Sequence, residues 1–186
     1  MNIHVSERMT VDEFLVWSER QPKGRYELFD GQVAMQQSER WGHSKLKWRI
    51  HRLLEREIDA AGVPYFAAGD GPILRIDHVS AFEPDALIAP LPAPDDSSLE
   101  VMAPCVVVEV LSPSTARIDL SRKLIGYFKL PSVVHYLVLD PEDKAVVWYR
   151  RGTDGRAEEP VTLTEGTLRL DPPGIALDLA ELFPAA

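Results

Sequence analysis

The sequence predicts an α/β domain in which a mixed central sheet is flanked by helices. Three observations carry that expectation. From about Gly42 to Ala61, the apolar residues Leu46, Ile50, Leu53, Leu54 and Ile58 recur at helical spacing, the pattern of a helix with one buried stripe. The run Val106-Val107-Val108-Glu109-Val110-Leu111 is apolar at all but one position, as expected of a central strand covered on both faces. A second helical segment, about Arg117 to Lys129, separates that run from another strand, Val133–Leu139. Helices on both faces of a sheet bury these patterns with least exposed apolar surface.

The remaining elements follow in order. Thr10-x-x-Glu13 is a capping box, and Phe14, Leu15 and Trp17 make a short helix that stops before Pro22. Tyr26–Phe29 and Gln32–Met35 read as strands around Asp30-Gly31, the strongest short hairpin signal in the chain. Gly62 suits the left-handed position that ends the long helix. Short strands are expected at Tyr65–Ala67, Ile73–Ile76 and Ala86–Ala89, followed by a proline-rich surface loop over Pro90 to Pro104. Ser112 to Thr115 is turn and cap chemistry, and Asp140 to Lys144 turns the chain into the strand Ala145–Arg150. Beyond Gly152 the pattern is a small antiparallel addition with a closing turn at Leu179–Phe183. One domain is expected over 1–186, with a core of about 10–150 and a small β-rich extension over 151–186.

Composition narrows the function classes. A chain of 186 residues with 45% hydrophobic content can bury a core without disulfides. No apolar run approaches the roughly 18 residues of a membrane span, and residues 1–8 lack the apolar centre of a signal peptide, so the expected location is cytoplasmic. Cys105 is the only cysteine, which rules out an intrachain disulfide and a thiolate zinc cluster; it opens an apolar run and reads as a small buried residue. The net charge of −9 argues against coating duplex DNA by charge alone. The charge is uneven, however. Arg40, Lys45, Lys47, Arg49, Arg52 and Arg56 face only Glu55 along the long helix, while Asp77 to Pro104 holds six acids and no base. An acidic centre of that kind calls for a cation.

Four residues carry chemistry. Glu109 is an acid where an apolar side chain belongs, and burying an unpaired carboxylate is prohibitively costly. It is therefore protonated, paired, or placed where the strand ends at a cleft; the plainer alternative is an edge position or an arginine partner. Asp85 follows Glu83-Pro84 at the start of a strand. Beside Glu109 it would form a hard oxygen site suited to Mg²⁺ or Mn²⁺, whereas alone it would be a turn residue. Lys123 follows Asp119 at i,i+4, which by itself suggests a surface ion pair. Glu27 alternates with Tyr26 and Leu28, so it faces either a site or solvent. His43 opens the long helix and could face Glu27 or cap the helix; His4, His51 and His78 show no metal spacing, and His51 could reach a phosphate.

The strings Tyr26-Glu27-Leu28-Phe29-Asp30-Gly31, His43, Glu83-Pro84-Asp85, Val107-Val108-Glu109-Val110-Leu111-Ser112-Pro113-Ser114-Thr115, Asp119…Lys123…Tyr127 and His135-Tyr136-Leu137-Val138-Leu139-Asp140-Pro141 occur in that order. Together they resemble the Uma2 family of endonucleases, from about Thr10 to Tyr149. The resemblance implies a restriction-endonuclease-like fold and a PD-(D/E)XK site that hydrolyses phosphodiester bonds, in DNA first of all, with Mg²⁺ or Mn²⁺. By it, Pro84-Asp85 is the PD element and Glu109 the acid of the second element. Leu111 stands where the superfamily lysine would be, and Lys123 matches the lysine that this family takes from the next helix. Glu27 matches an early acid of the same site, either a metal ligand or its orienter, with His43 supporting from behind. The resemblance, with the acidic surface and its local basic patches, also suggests a homodimer, and the lack of an apolar span suggests no membrane partner.

Two further expectations follow. Close-packed Asp85, Glu109 and Glu27 would repel one another without a cation, so Asp85→Asn or Glu109→Gln would melt higher than the parent chain in the absence of metal. Lys123→Ala would remove cleavage while leaving folding largely intact. Other classes compete. A catalytically inactive nuclease-fold protein binding nucleic acid or a protein partner fits the net acidity. A two-carboxylate glycosidase fits the acids but lacks the aromatic density of a sugar cleft.

Overall fold

The computed structural model describes residues 8–22, 24–36, 38–111 and 121–184, together with the backbone but not the side chains of 118–120. The turn at 112–115, His4 and the Asp119 side chain therefore lie outside the described residues. Helix α1 (Val11–Glu19) is capped by Thr10, whose hydroxyl accepts from the Glu13 amide while the Glu13 carboxylate accepts from the Thr10 amide. Strands β1 (Tyr26–Phe29) and β2 (Gln32–Met35) pair antiparallel. Asp30 and Gly31 between them both have positive φ, 49° and 80°, which sets a turn twisted like its strands.

Helix α2 (Trp41–Ala61) ends at Gly62, whose left-handed φ of 62° lets its amide reach back to Ile58 and Asp59. Then come β3 (Tyr65–Gly69), β4 (Leu74–Arg75), β5 (Ala81–Phe82), β6 (Ala86–Pro90) and β7 (Val106–Val110). Helix α3 (Ile118–Lys129) leads to β8 (His135–Asp140), β9 (Ala145–Arg150) and β10 (Val161–Leu163). The hairpin β11 (Thr167–Leu170) and β12 (Ile175–Asp178) and the single turn α4 (Leu179–Leu182) close the chain.

The central sheet runs β10-β9-β8-β7-β6-β3. Only β7 and β8 are parallel, joined over one face by α3; the other pairs are antiparallel. A smaller sheet, β2-β1-β5-β4, stands beside it. Its member β5 has two residues, too few for an alternation to show in sequence.

The two-residue period of β7 divides the core. Val106, Val108 and Val110 face α2, packing with Leu46, Ile50 and Leu54. Val107 faces the other way, with Tyr127 of α3, Tyr136 and Leu87. Glu109 continues the Val107 face, so it points toward α3. Leu168, Leu170, Leu177 and Leu182, from the segment the sequence reads as an extension, fill the same cluster as α2.

Gly126 sets how closely α3 approaches. A Cβ there would lie 2.4 Å from the Phe82 ring, and that ring is held between Phe29 and Tyr127, with centroids at 4.6 and 5.6 Å. Gly126→Ala gains about 1 kcal/mol of helix propensity, but the ring has no free direction, so overpacking of about 1–3 kcal/mol is expected to win. Thermal denaturation should show a lower midpoint; a higher one would mean that Phe82 swings aside.

Candidate active site

The site forms where β6 begins and β7 ends. Ala86 pairs with Val108, and the Asp85 amide donates to the Val108 carbonyl at 3.1 Å, so one further step of the register sets Asp85 opposite Glu109. Opposed residues of an antiparallel pair share a face. Asp85 Oδ2 accepts the Val110 amide at 2.6 Å, and its Oδ1 lies 2.8 Å from Lys47 Nζ, from α2. Glu109 Oε1 accepts from Lys123 Nζ at 2.9 Å and from the Tyr127 hydroxyl at 2.5 Å, both on α3. Lys123 Nζ is also 2.9 Å from Glu27 Oε1, which accepts the Glu83 amide. Glu27, Asp85, Glu109, Lys47 and Lys123 are each less than a tenth exposed.

Asp85, Glu109, Glu27, Lys123 and His43 are thus at or beside this corner, with one difference of detail. His43 does not meet Glu27. Its Nε2 lies 2.8 Å from the Val110 carbonyl oxygen, and its Nδ1 is 3.1 Å from Glu39 Oε2. The imidazole therefore braces the end of β7.

An outer group of charges was not foreseen. Lys47 Nζ sits 2.6 Å from Glu39 and 2.7 Å from Asp70 as well as against Asp85. Arg25 donates to Glu83 at 2.7 Å and to Asp70 at 2.8 Å. Lys47 had a usable signal, since it follows His43 by four residues and so shares its face of the helix. Asp70, in Gly69-Asp70-Gly71, had none beyond a turn.

Burial raises the pKa of the Glu109 carboxyl, and Asp85 and Glu27 push it the same way, against the opposing pull of Lys123 and Tyr127. Burial works against the Lys123 charge, but Glu109 and Glu27 outweigh it and hold the ammonium protonated. Burial likewise opposes charge on His43, yet Glu39, the Val110 carbonyl and Asp85 raise its pKa.

Glu39 moves the other way. Burial raises it, but His43 and Lys47 more than compensate and lower it from 4.5 to about 2. A folded pKa below the unfolded one contributes stability that is present above the unfolded value and lost as pH falls through the folded one. Glu39→Gln is therefore expected to destabilise the chain at neutral pH, by less than the shift alone implies because solvent reaches and screens this carboxylate. The deficit should shrink as pH falls from 4.5 toward 2. Urea denaturation of both proteins at pH 7 and pH 3 checks this, and an unchanged gap would dismiss the Lys47 and His43 pairing as its cause.

The donor chemistry suits a hard divalent cation. Six carboxylates, Glu27, Glu39, Asp70, Glu83, Asp85 and Glu109, face three fixed cations, Arg25, Lys47 and Lys123, and one histidine. The corner is short of positive charge, and its donors are carboxylate and carbonyl oxygens. No three His, Cys, Asp or Glu side chains among the described residues form a ready-made cage. Lys47 and Lys123 stand against the acids a metal would use.

A helix, three antiparallel strands, a crossover helix and a parallel strand, with acids where the middle strands meet, make this a mixed α/β protein of the restriction-endonuclease-like fold. The family model Uma2, described as "Putative restriction endonuclease", matches residues 11–182. The chain belongs to that family. Two relatives are proteins of Synechocystis sp., both described as uncharacterised. One, slr1290, is 29% identical over 80% of this chain and 77% of its own length; the other, sll1609, is 28% identical over 83% and 87%. The crystal structure of a "putative nuclease belonging to DUF820" from Anabaena variabilis superposes with a TM-score of 0.75, covering 94% of this chain and 97% of that one. At 16% identity that likeness is one of fold. No helix among the described residues is long and apolar enough to cross a membrane.

Proposed function

We propose that this chain is a metal-dependent endonuclease that hydrolyses phosphodiester bonds in nucleic acid, DNA first of all, and that it works as a homodimer in the cytoplasm. The observation that carries the reading is the pair of buried acids, Asp85 and Glu109, at adjacent strand ends with the Lys123 ammonium fixed beside them. Family membership points the same way.

Asp85, Glu109 and the Val110 carbonyl, with Glu27 close by, would hold Mg²⁺ or Mn²⁺, which would supply a Lewis acid for the phosphate and for the attacking water. The chain's own groups do the rest. Lys123 orients the attacking water and offsets the negative charge that develops at phosphorus. Tyr127 fixes the Glu109 carboxylate, and the Val110 amide fixes that of Asp85. His43 holds the Val110 carbonyl in place from behind.

A second reading, a nuclease fold that binds without cutting, draws on Lys47: its ammonium already occupies Asp85 Oδ1. Incubating purified protein with supercoiled plasmid decides between them. Nicking is expected with Mn²⁺ or Mg²⁺, none with chelator, and none with Glu109→Gln. A parent chain that never nicks, and whose melting temperature ignores Mn²⁺, would overturn the nuclease reading.

A further inference from the structure

The five lysines and arginines of α2 do not act as one surface. Lys47 is turned into the acidic corner, Arg49 donates to the Leu182 carbonyl, and Arg56 is paired with Glu57 and Glu181. Along the outer face, opposite the buried Leu46, Ile50 and Leu54, run Trp41, Lys45, Trp48 and Arg52. Their spacing of four, three and four residues stacks them in one stripe. Trp41 is 80% exposed and Trp48 60% exposed. The Arg52 guanidinium lies 4.8 Å over the Trp48 ring. Neither Lys45 nor Arg52 has an ion pair among the described residues, whereas Arg25, Arg75, Lys129 and Arg150 all do.

We propose that this Trp41–Lys45–Trp48–Arg52 stripe is a binding platform for single-stranded nucleic acid, on whose indoles unpaired bases stack while Lys45 and Arg52 meet the phosphates. Each part of the stripe answers one part of that ligand. An indole face suits any base, and stacking does not depend on sequence. Unpaired cations alternating with the rings match phosphates alternating with bases. The two tryptophans stand about 10 Å apart along the helix axis, the reach of a short run of nucleotides. A duplex hides its base faces and would meet a chain of net charge −9 with only Lys45 and Arg52 on this stripe to greet it. A second copy docking through the same stripe would gather Lys45 and Arg52 of both copies into one contact with no acid among the stripe's four residues to neutralise them.

The stripe also starts in the right place. Trp41 lies two residues before His43, which touches the end of β7 at the Val110 carbonyl. A strand lying on α2 is thus led to the corner that holds Asp85 and Glu109. The proposal deepens the nucleic-acid reading of that corner, but its test needs no cleavage.

Fluorescein-labelled oligo(dT) and a duplex of equal length are titrated with the whole protein in chelator, following anisotropy and tryptophan fluorescence. Single strand should bind tighter than duplex and quench the tryptophans. Trp48→Ala should weaken single-strand binding by about fivefold to a hundredfold, the loss of one stacked base, with an unchanged melting temperature. Trp48→Phe should recover part of it, and Lys45→Ala should flatten its salt dependence. Ile125→Ala, exposed on α3, serves as the control and should change nothing. Equal oligo(dT) affinity for Trp48→Ala and the parent chain would overturn the proposal, as would preference for duplex. So would a dimer in sedimentation that Trp48→Ala dissociates while oligo(dT) binding stays the same. If the parent chain binds oligo(dT) through the stripe yet never cleaves in Mn²⁺, the platform stands and the nuclease reading falls.

Discussion

Lys123→Met is expected to lower the melting temperature by roughly 10 °C and to abolish cleavage. Methionine keeps the length and packing of the lysine stem and removes only the charge. Lys123 Nζ lies 2.9 Å from both Glu27 and Glu109, each less than a tenth exposed. Removing one partner of a buried ion pair costs about 3–5 kcal/mol, and each kcal/mol shifts the midpoint of a chain this size by about 2–4 °C. The deficit should be smaller at pH 5 than at pH 8. Glu109, whose pKa burial already raises, can take up a proton and shed its unpaired charge at the lower pH. A second change, Glu27→Gln, should restore part of the stability and none of the cleavage. From the sequence, Lys123→Ala is expected to leave folding largely intact; the geometry revises that, because the lysine is also the counter-charge of two buried acids. A variant as stable as the parent at pH 8 would show the pair to be a solvated one.

Asp85→Asn is expected to cost about 10²–10³-fold or more in cleavage rate, the scale of losing one preorganised charge at a reacting centre. It should also cancel the metal-induced rise in melting temperature, which for the parent corresponds to about 2.7 kcal/mol at a hundredfold excess of metal over its dissociation constant. Without metal the variant should be less stable by about 1–3 kcal/mol. Asp85 holds the Val110 amide and Lys47 at once, and an asparagine can keep the first contact only by losing charge at the second. The repulsion expected from the sequence pointed to a gain instead. Lys47 and Lys123, standing among the acids, reverse the sign. Thermal shifts with and without Mn²⁺ separate the two, and a metal-free rise would show that repulsion still dominates.

Glu109 was legible because an acid in a run of valines breaks the burial rule, and only pairing, protonation or a cleft can explain it. Asp85 was legible as an acid at a strand start. The capping box at Thr10, the Asp30-Gly31 hairpin and Gly62 were legible because each is local chemistry, complete within a few residues. Glu27 alone left a site and solvent equally open, Lys123 alone read as half of a surface pair, and only the resemblance gave the two a role in one site. The sequence by itself therefore determined the order of the elements apart from the two-residue β5, the two-faced sheet and the acids that do not belong in a core.

Tertiary structure decided the partners. Lys47 looked like one more base on a charged helix, and nothing within α2 says that this side chain turns into the corner while Lys45 and Arg52 stay outside. That depends on how α2 lies across β6 and β7, a packing fixed by Leu46, Ile50 and Leu54 against Ile88 and Val108. Arg25, Asp70 and Glu83 meet across 45 and 58 residues of chain for the same reason. A charge advertises its sign in the sequence, but whether it is paired or free depends on distance. Distances between remote segments exist only once the core has closed.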